Sequence, residues 1–178
     1  MTEYDSAFQM AASNIRFGPG TTAEVGQDLA DMHVHSAVVI IDPALVDLPT
    51  GRTVIGSLDD SGVGFEVFDR VSVEPTDRSF QEATDFVSRG GFDAIVAVGG
   101  GSTIDTAKAA NLFATHPADF LEYVNAPIGK GRPVPGPLMP LIAIPTTAGT
   151  GSETTGVAIF DLVEMKAKTG IAHRFLKP

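Results

Sequence analysis

The chain contains no cysteine. Disulfides, thiolate zinc sites and a cysteine nucleophile are therefore excluded. A domain without disulfides fits a reducing compartment, and a cytoplasmic protein is expected. Basic residues are scarce, 12 Lys and Arg against 22 Asp and Glu, for a net charge of -10. Such a surface repels nucleic acid and anionic membranes, so neither is expected as a partner. A local nest of N–H groups can still hold an anion against that average field. No apolar run approaches membrane-spanning length. Residues 1–10 carry Glu3 and Asp5 and lack the basic flank and apolar stretch of a signal peptide. His33, His35, His116 and His173 show no metal spacing and read as surface or packing residues. No Gly-x-Gly-x-x-Gly, Walker loop or Gly-x-Ser-x-Gly elbow is present.

What is present suits one domain with a substantial core: 178 residues, of which 43% are hydrophobic. Ala37 to Ile41 and Ala94 to Val98 are continuous apolar runs without alternation, as in strands covered on both faces. Phe65 to Phe68 and Leu141 to Ile144 are further strands, and Ile15-Arg16-Phe17 reads as a short strand ended by Gly18-Pro19-Gly20. Helices are expected after Thr21 and Thr22, from Thr50 to Ser61, from Ser79 to Arg89 and from Ser102 to Thr115. In the third of these, Phe80, Ala83, Phe86 and Val87 share one face. Alternating strands and helices predict an α/β fold, a Rossmann-like, mainly parallel sheet with helices on both faces. A late β-hairpin excursion follows, from Thr155 to Phe160 and Lys166 to Ala172. The proline-rich segment 126–140 reads as an ordered surface loop.

Two glycine-rich turns stand at strand exits, where ligands of parallel sheets sit. One is Gly99-Gly100-Gly101-Ser102. The other runs from Pro145 through Thr146, Thr147, Gly149, Thr150 and Gly151 to Ser152. The triglycine lets backbone approach a ligand with no Cβ in the way. Ser102 is expected to cap the next helix, with Asp105 completing a capping box. A pyrophosphate suits such a helix start, and Thr146, Thr147 and Thr150 offer hydroxyls for ribose or phosphate. A tight turn with local hydroxyl bonding is the plainer reading of the same residues. Asp42, at the end of a strand, can accept from both adenosine ribose hydroxyls and repel a 2′-phosphate, which favours NAD over NADP. Asp-Pro also simply begins turns. Asp105 and Lys108, three apart on one helix, read as a solvated pair.

The stretches Gly99 to Lys108 and Pro145 to Glu153 together resemble the paired signatures of the iron-containing (group III) alcohol dehydrogenases. Residues 8–11 and 13–17, Val73 to Asp77, Ala126 to Gly131 and Glu153 to Asp161 resemble the hydroxyacid-oxoacid transhydrogenase branch. The resemblance implies that residues 1–178 are an N-terminal dinucleotide-binding domain. Family members continue into a helical domain whose one aspartate and three histidines hold iron or zinc, at positions after Pro178. No catalytic residue and no metal ligand is therefore expected within this chain, and the chain alone is expected to lack dehydrogenase activity. By the same resemblance Asp42 takes the adenosine ribose, and Gly99, Gly100, Gly101 and Ser102 hold the pyrophosphate. Thr146, Thr147 and Thr150 line the cofactor, Lys168 reaches the ribose near the nicotinamide, and Asp105 stands near the reacting end. Thr76, where many members carry Asn, belongs to the same set.

The implied chemistry is hydride transfer between a hydroxy acid or alcohol and nicotinamide, with a homodimer as the expected assembly. Two other classes stay open at this point. One is a nucleotide-binding module without catalysis, or one half of a split enzyme. The other is a dehydroquinate-synthase-like lyase, against which the Thr-Thr-Ala-Gly-Thr-Gly-Ser-Glu run argues.

Overall fold

A computed structural model describes residues 13–178. The signal-peptide reading and the match over residues 8–11 lie outside that range. Four strands form a parallel sheet: β1 (Ser36–Ile41), β2 (Gly64–Phe68), β3 (Ala94–Gly99) and β4 (Leu141–Pro145), in the order β2-β1-β3-β4. Odd and even positions of β1 and β3 feed different cores. Ala37, Val39, Ile41, Val96 and Val98 pack with Val25 and Leu29 of α1 (Val25–Asp31) and with Val54 and Leu58 of α2 (Pro49–Ser61). On the opposite face Val38, Ile40, Ile95 and Ala97 meet Ala83 and Val87 of α3 (Asp77–Gly90). Ile104, Ala107 and Ala110 of α4 (Gly101–Thr115) join them there. This double coverage explains why β1 and β3 show no polar alternation.

The chain order reverses between β1 and β3. The step from β1 to β2 crosses on the α2 face, and the step from β3 to β4 crosses on the α4 face. A parallel sheet opens a crevice at such a switch point, outside the carboxyl ends of its strands. A third core lies beyond α4. There Ala109, Leu112 and Phe113 pack against Phe160 and Leu162 of β5 (Val157–Leu162) and Ile171 of β6 (Ala167–Ala172). The short helix α5 (Phe120–Tyr123) closes that core with Tyr123. Helix α4 thus lies between sheet and hairpin, and every residue from Thr103 to Phe113 is buried.

Several expectations are corrected. Residues 15–17 form no strand: Ile15 is 73% exposed and Phe17 97%, and neither has a strand neighbour among the described residues. Arg16 instead pairs with Glu24 and with Asp28, the latter at 2.9 Å, which draws the segment alongside the start of α1. Thr21 and Thr22 do not cap that helix; they lie within a 3-10 turn, Thr21–Glu24, whose cap position is Gly20. The second glycine-rich turn runs irregularly into β5. Residues 124–140 hold no helix or strand, as a proline-rich loop should.

Asp93 shows how the β3 entry is tied down. Its carboxylate accepts from the amides of His35 and Ser36, both at 3.0 Å, joining β3 to β1 at their amino ends. Burial would push this carboxyl up, but the two amide bonds and the His35 ring together hold it below its ordinary range. A carboxyl depressed on folding stabilises above its unfolded pKa, and that contribution fades as pH falls through the folded value. Below about pH 4 the wild type should therefore lose stability more steeply than Asp93→Asn, which urea unfolding at stepped pH would measure. Equal slopes would show that the clamp does not titrate.

Candidate functional site

The site assembles at the carboxyl ends of β1, β3 and β4. The amide of Asp42 donates to Val98 O at 3.0 Å, and that of Thr146 donates to Gly99 O at 3.0 Å. Both strand exits are thereby drawn to the first glycine-rich turn. The two turns then touch. A Cβ on Gly100 would stand 2.9 Å from Thr147 Oγ1, and one on Gly101 would stand 2.8 Å from Thr150 Cγ2. Only glycine allows that approach without displacing the opposite wall.

Helix α4 begins inside this cradle. Its N-cap is Gly100, and no side chain caps it. The capping box expected from Ser102 and Asp105 does not form. Ser102 already lies within the first turn, and its Oγ accepts from the Glu74 amide at 3.4 Å. The Asp105 carboxylate is engaged elsewhere, accepting from the Ile159 amide at 3.0 Å. The Thr103 amide donates to Gly100 O at 3.1 Å, which leaves the Gly101 and Ser102 amides at an uncapped helix end carrying partial positive charge. The segment from Pro145 to Thr150 is exposed beside it. An anion can be bound there by main chain alone.

The remaining candidates fall at different distances from this centre. Asp42 accepts from the Ala44 amide at 2.9 Å through Oδ1, capping the 3-10 turn Pro43–Leu45. The plain turn reading thus accounts for one of its carboxylate oxygens. Thr76 is the N-cap of α3; it accepts from the Ser79 amide at 3.1 Å, and Ser79 Oγ accepts from the Thr76 amide at 2.8 Å. Its hydroxyl is committed to that box, while the loop before it reaches Ser102 through Glu74. Lys168 lies on the hairpin, 58% exposed, with Nζ 3.4 Å from Asp161 Oδ1.

Asp105 and Lys108 are not a solvated pair. Lys108 is fully buried and Asp105 nearly so, with Nζ 3.7 Å from Oδ1. Lys108 Nζ donates to Val157 O at 2.8 Å. Burial pushes the Asp105 carboxyl up, against the pull of the Ile159 amide and the Lys108 charge. Burial also pushes the Lys108 ammonium down, against Asp105 and Glu153. One turn further on, Asn111 Nδ2 donates to Met139 O at 2.8 Å, and its Oδ1 accepts from the Met139 amide at 3.1 Å. Sequence reasoning missed Asn111, and it placed Lys108 in solvent. The available signal was a helix with no polar face, where Lys108 stands among Ala107, Ala109 and Ala110. Among the described residues no three His, Cys, Asp or Glu side chains gather as a metal set.

Residues 12–178 match the family described as iron-containing alcohol dehydrogenase. The chain belongs to this family. It is 60% identical over 175 residues to the mitochondrial hydroxyacid-oxoacid transhydrogenase of Bos taurus, covering 98% of this chain and 38% of that protein. The Homo sapiens counterpart is 58% identical with the same coverage. The chain thus spans less than two fifths of the length of these relatives. Among solved structures of the family, 1,3-propanediol oxidoreductase superposes with a TM-score of 0.86 at 29% identity, over 97% of this chain and 44% of that one. Sulfoacetaldehyde reductase from Bifidobacterium kashiwanohense, solved in complex with NAD+, gives 0.85 at 27% identity with the same coverage. The cytoplasmic expectation is overturned: both relatives named here are mitochondrial proteins and point to that compartment. Lack of cysteine shows only that no disulfide is used, which does not distinguish the two. No helix among the described residues is long and apolar enough to cross a membrane.

The buried pair generates a stability test. Lys108→Met would leave Asp105 buried beside no countercharge, at an expected cost of about 3–5 kcal/mol. The double variant with Asp105→Asn should cost less than the two single changes added, by about 1–3 kcal/mol. Urea unfolding of the four proteins gives the coupling, and strict additivity would show the two groups to be independent.

Proposed function

We propose that this chain is the nucleotide-binding domain, residues 1–178, of an NAD-dependent, metal-requiring oxidoreductase. Its reaction moves hydride between a hydroxy acid or alcohol and nicotinamide. The observation that carries this reading is the uncapped start of α4, enclosed by two glycine-rich walls too close together for a Cβ. The residues present fit a dinucleotide. The first-turn amides of α4 and the Ser102 hydroxyl receive the pyrophosphate. Gly99, Gly100 and Gly101 let it approach, and Thr146, Thr147 and Thr150 offer hydroxyls from the opposite wall. The carboxylate oxygen of Asp42 not used for capping accepts from the adenosine ribose, and its charge disfavours a 2′-phosphate. Lys168, exposed on the hairpin, supplies a donor toward the nicotinamide ribose. Asp105 and Thr76 support the site from behind, since both side chains are engaged with the protein's own backbone.

When bound, the nicotinamide supplies the hydride acceptor, and iron or zinc supplies a Lewis acid for the alcohol oxygen. By the family resemblance the metal ligands would lie outside residues 1–178, and among the described residues no metal-binding set gathers. The transhydrogenase relatives support a hydroxy acid as reductant and an oxo acid as oxidant, and they favour hydride transfer over a lyase reaction. A homodimer suits the exposed Ile15 and Phe17, which leave apolar surface beside α1.

Thermal melts of the chain test the reading. NAD at about 100 times its dissociation constant should add about 2.7 kcal/mol, a clear rise in Tm, with NADP giving less. Gly101→Val should abolish the rise by pushing Thr150 away. No rise in the wild type at millimolar NAD would overturn the assignment.

A further inference from the structure

The outer edge of β5 is closed by side chains of α4 where another strand would otherwise pair. Along its inner edge β5 pairs with β6, Val157 opposite Ala172 and Ile159 opposite Gly170. On the other edge Lys108 Nζ donates to Val157 O, the Ile159 amide donates to Asp105 Oδ2, and the Asp161 amide donates to Pro75 O at 2.8 Å. Alternate residues of a strand present their N–H and C=O groups on one edge. Two helix residues three apart, about 4.5 Å along the axis, can reach successive groups of that edge. Exposed i,i+3 ion pairs contribute little, but this one is buried and its partners are main-chain groups of the hairpin.

That anchorage lies immediately behind the second glycine-rich wall. Ser152 is only 6% exposed, and its amide donates to Thr150 Oγ1 at 3.4 Å. Thr150 in turn stands against Gly101. The path therefore runs from α4 through Asp105 and Lys108 to the start of β5, back along the turn to Thr150, and so to the start of α4 itself.

We propose that the Asp105–Lys108 pair is a positioning device that sets the spacing between the two walls of the nucleotide cradle. The proposal rests on the nucleotide-binding reading above and names how that site keeps its width. Neither side chain contacts the nucleotide. Each holds β5 against the helix whose N-terminus receives the pyrophosphate, so the two walls cannot separate without breaking a buried, charge-assisted bond.

The test is NAD titration by calorimetry on the chain and its variants, at a temperature where all are folded. Lys108→Met should weaken NAD binding about tenfold, and Lys108→Arg should restore most of the loss. Leu162→Ala is the control, because it removes a buried side chain at the far end of β5 and leaves the Val157 and Ile159 bonds alone. It should lower Tm and leave affinity within about twofold. If Lys108→Met does not fold, Asp105→Asn carries the same comparison. Variants that bind NAD as the wild type does, or a control that loses as much affinity as Lys108→Met, would overturn the positioning role. A wild type that binds no NAD would instead overturn the function from which it starts.

Discussion

At the start of α4 the triglycine backbone meets two threonine side chains of the second turn, too close for a Cβ without displacing them. Gly100 against Thr147 and Gly101 against Thr150 define that contact. The rest of the fold serves to maintain it. The reversal of chain order between β1 and β3 opens the crevice, and the amides of Asp42 and Thr146 close its floor onto Val98 and Gly99. The helix end there carries no side-chain cap, and the Thr147 and Thr150 side chains stand beside it. In the proposed site, binding by main chain would let a chain of net charge -10 hold a polyanion without a basic cluster.

Helix α4 is the common support. Asp105, Lys108 and Asn111 recur every three residues along it, and each binds main chain from a segment that returns to the site. Asn111 fixes Met139 ahead of β4, while Asp105 and Lys108 fix β5. A polar stripe in a largely buried helix is costly to desolvate, and main-chain partners for Asp105 Oδ2, Lys108 Nζ and the Asn111 amide offset much of that cost. Apolar packing on either side of α4 holds sheet and hairpin, and the stripe sets their register.

The sheet was legible in the sequence because β1 and β3 are buried on both faces, which leaves unbroken apolar runs. The turns were legible because close backbone approach demands glycine. What escaped depended on tertiary partners. Ile15 to Phe17 has strand-like composition, yet Arg16 finds acidic partners in Glu24 and in Asp28 of α1, and no strand lies alongside. The spacing from Ser102 to Asp105 imitates a capping box, but the Ile159 amide takes the carboxylate. The spacing from Asp105 to Lys108 imitates a surface pair because helical periodicity cannot show that a hairpin covers the second face of α4. Compartment is an address rather than a folding requirement, and composition does not encode it.

In the proposed site Asp42 would carry two duties on one carboxylate. One oxygen caps the 3-10 turn at Pro43–Leu45, and the other would accept from the adenosine ribose. Anyone redesigning the chain toward a phosphorylated cofactor meets this overlap directly. Deleting the side chain removes the repulsion and the cap together, whereas asparagine or serine keeps an acceptor for the Ala44 amide and discards only the charge. The route to altered cofactor preference that spares the fold therefore passes through a neutral cap.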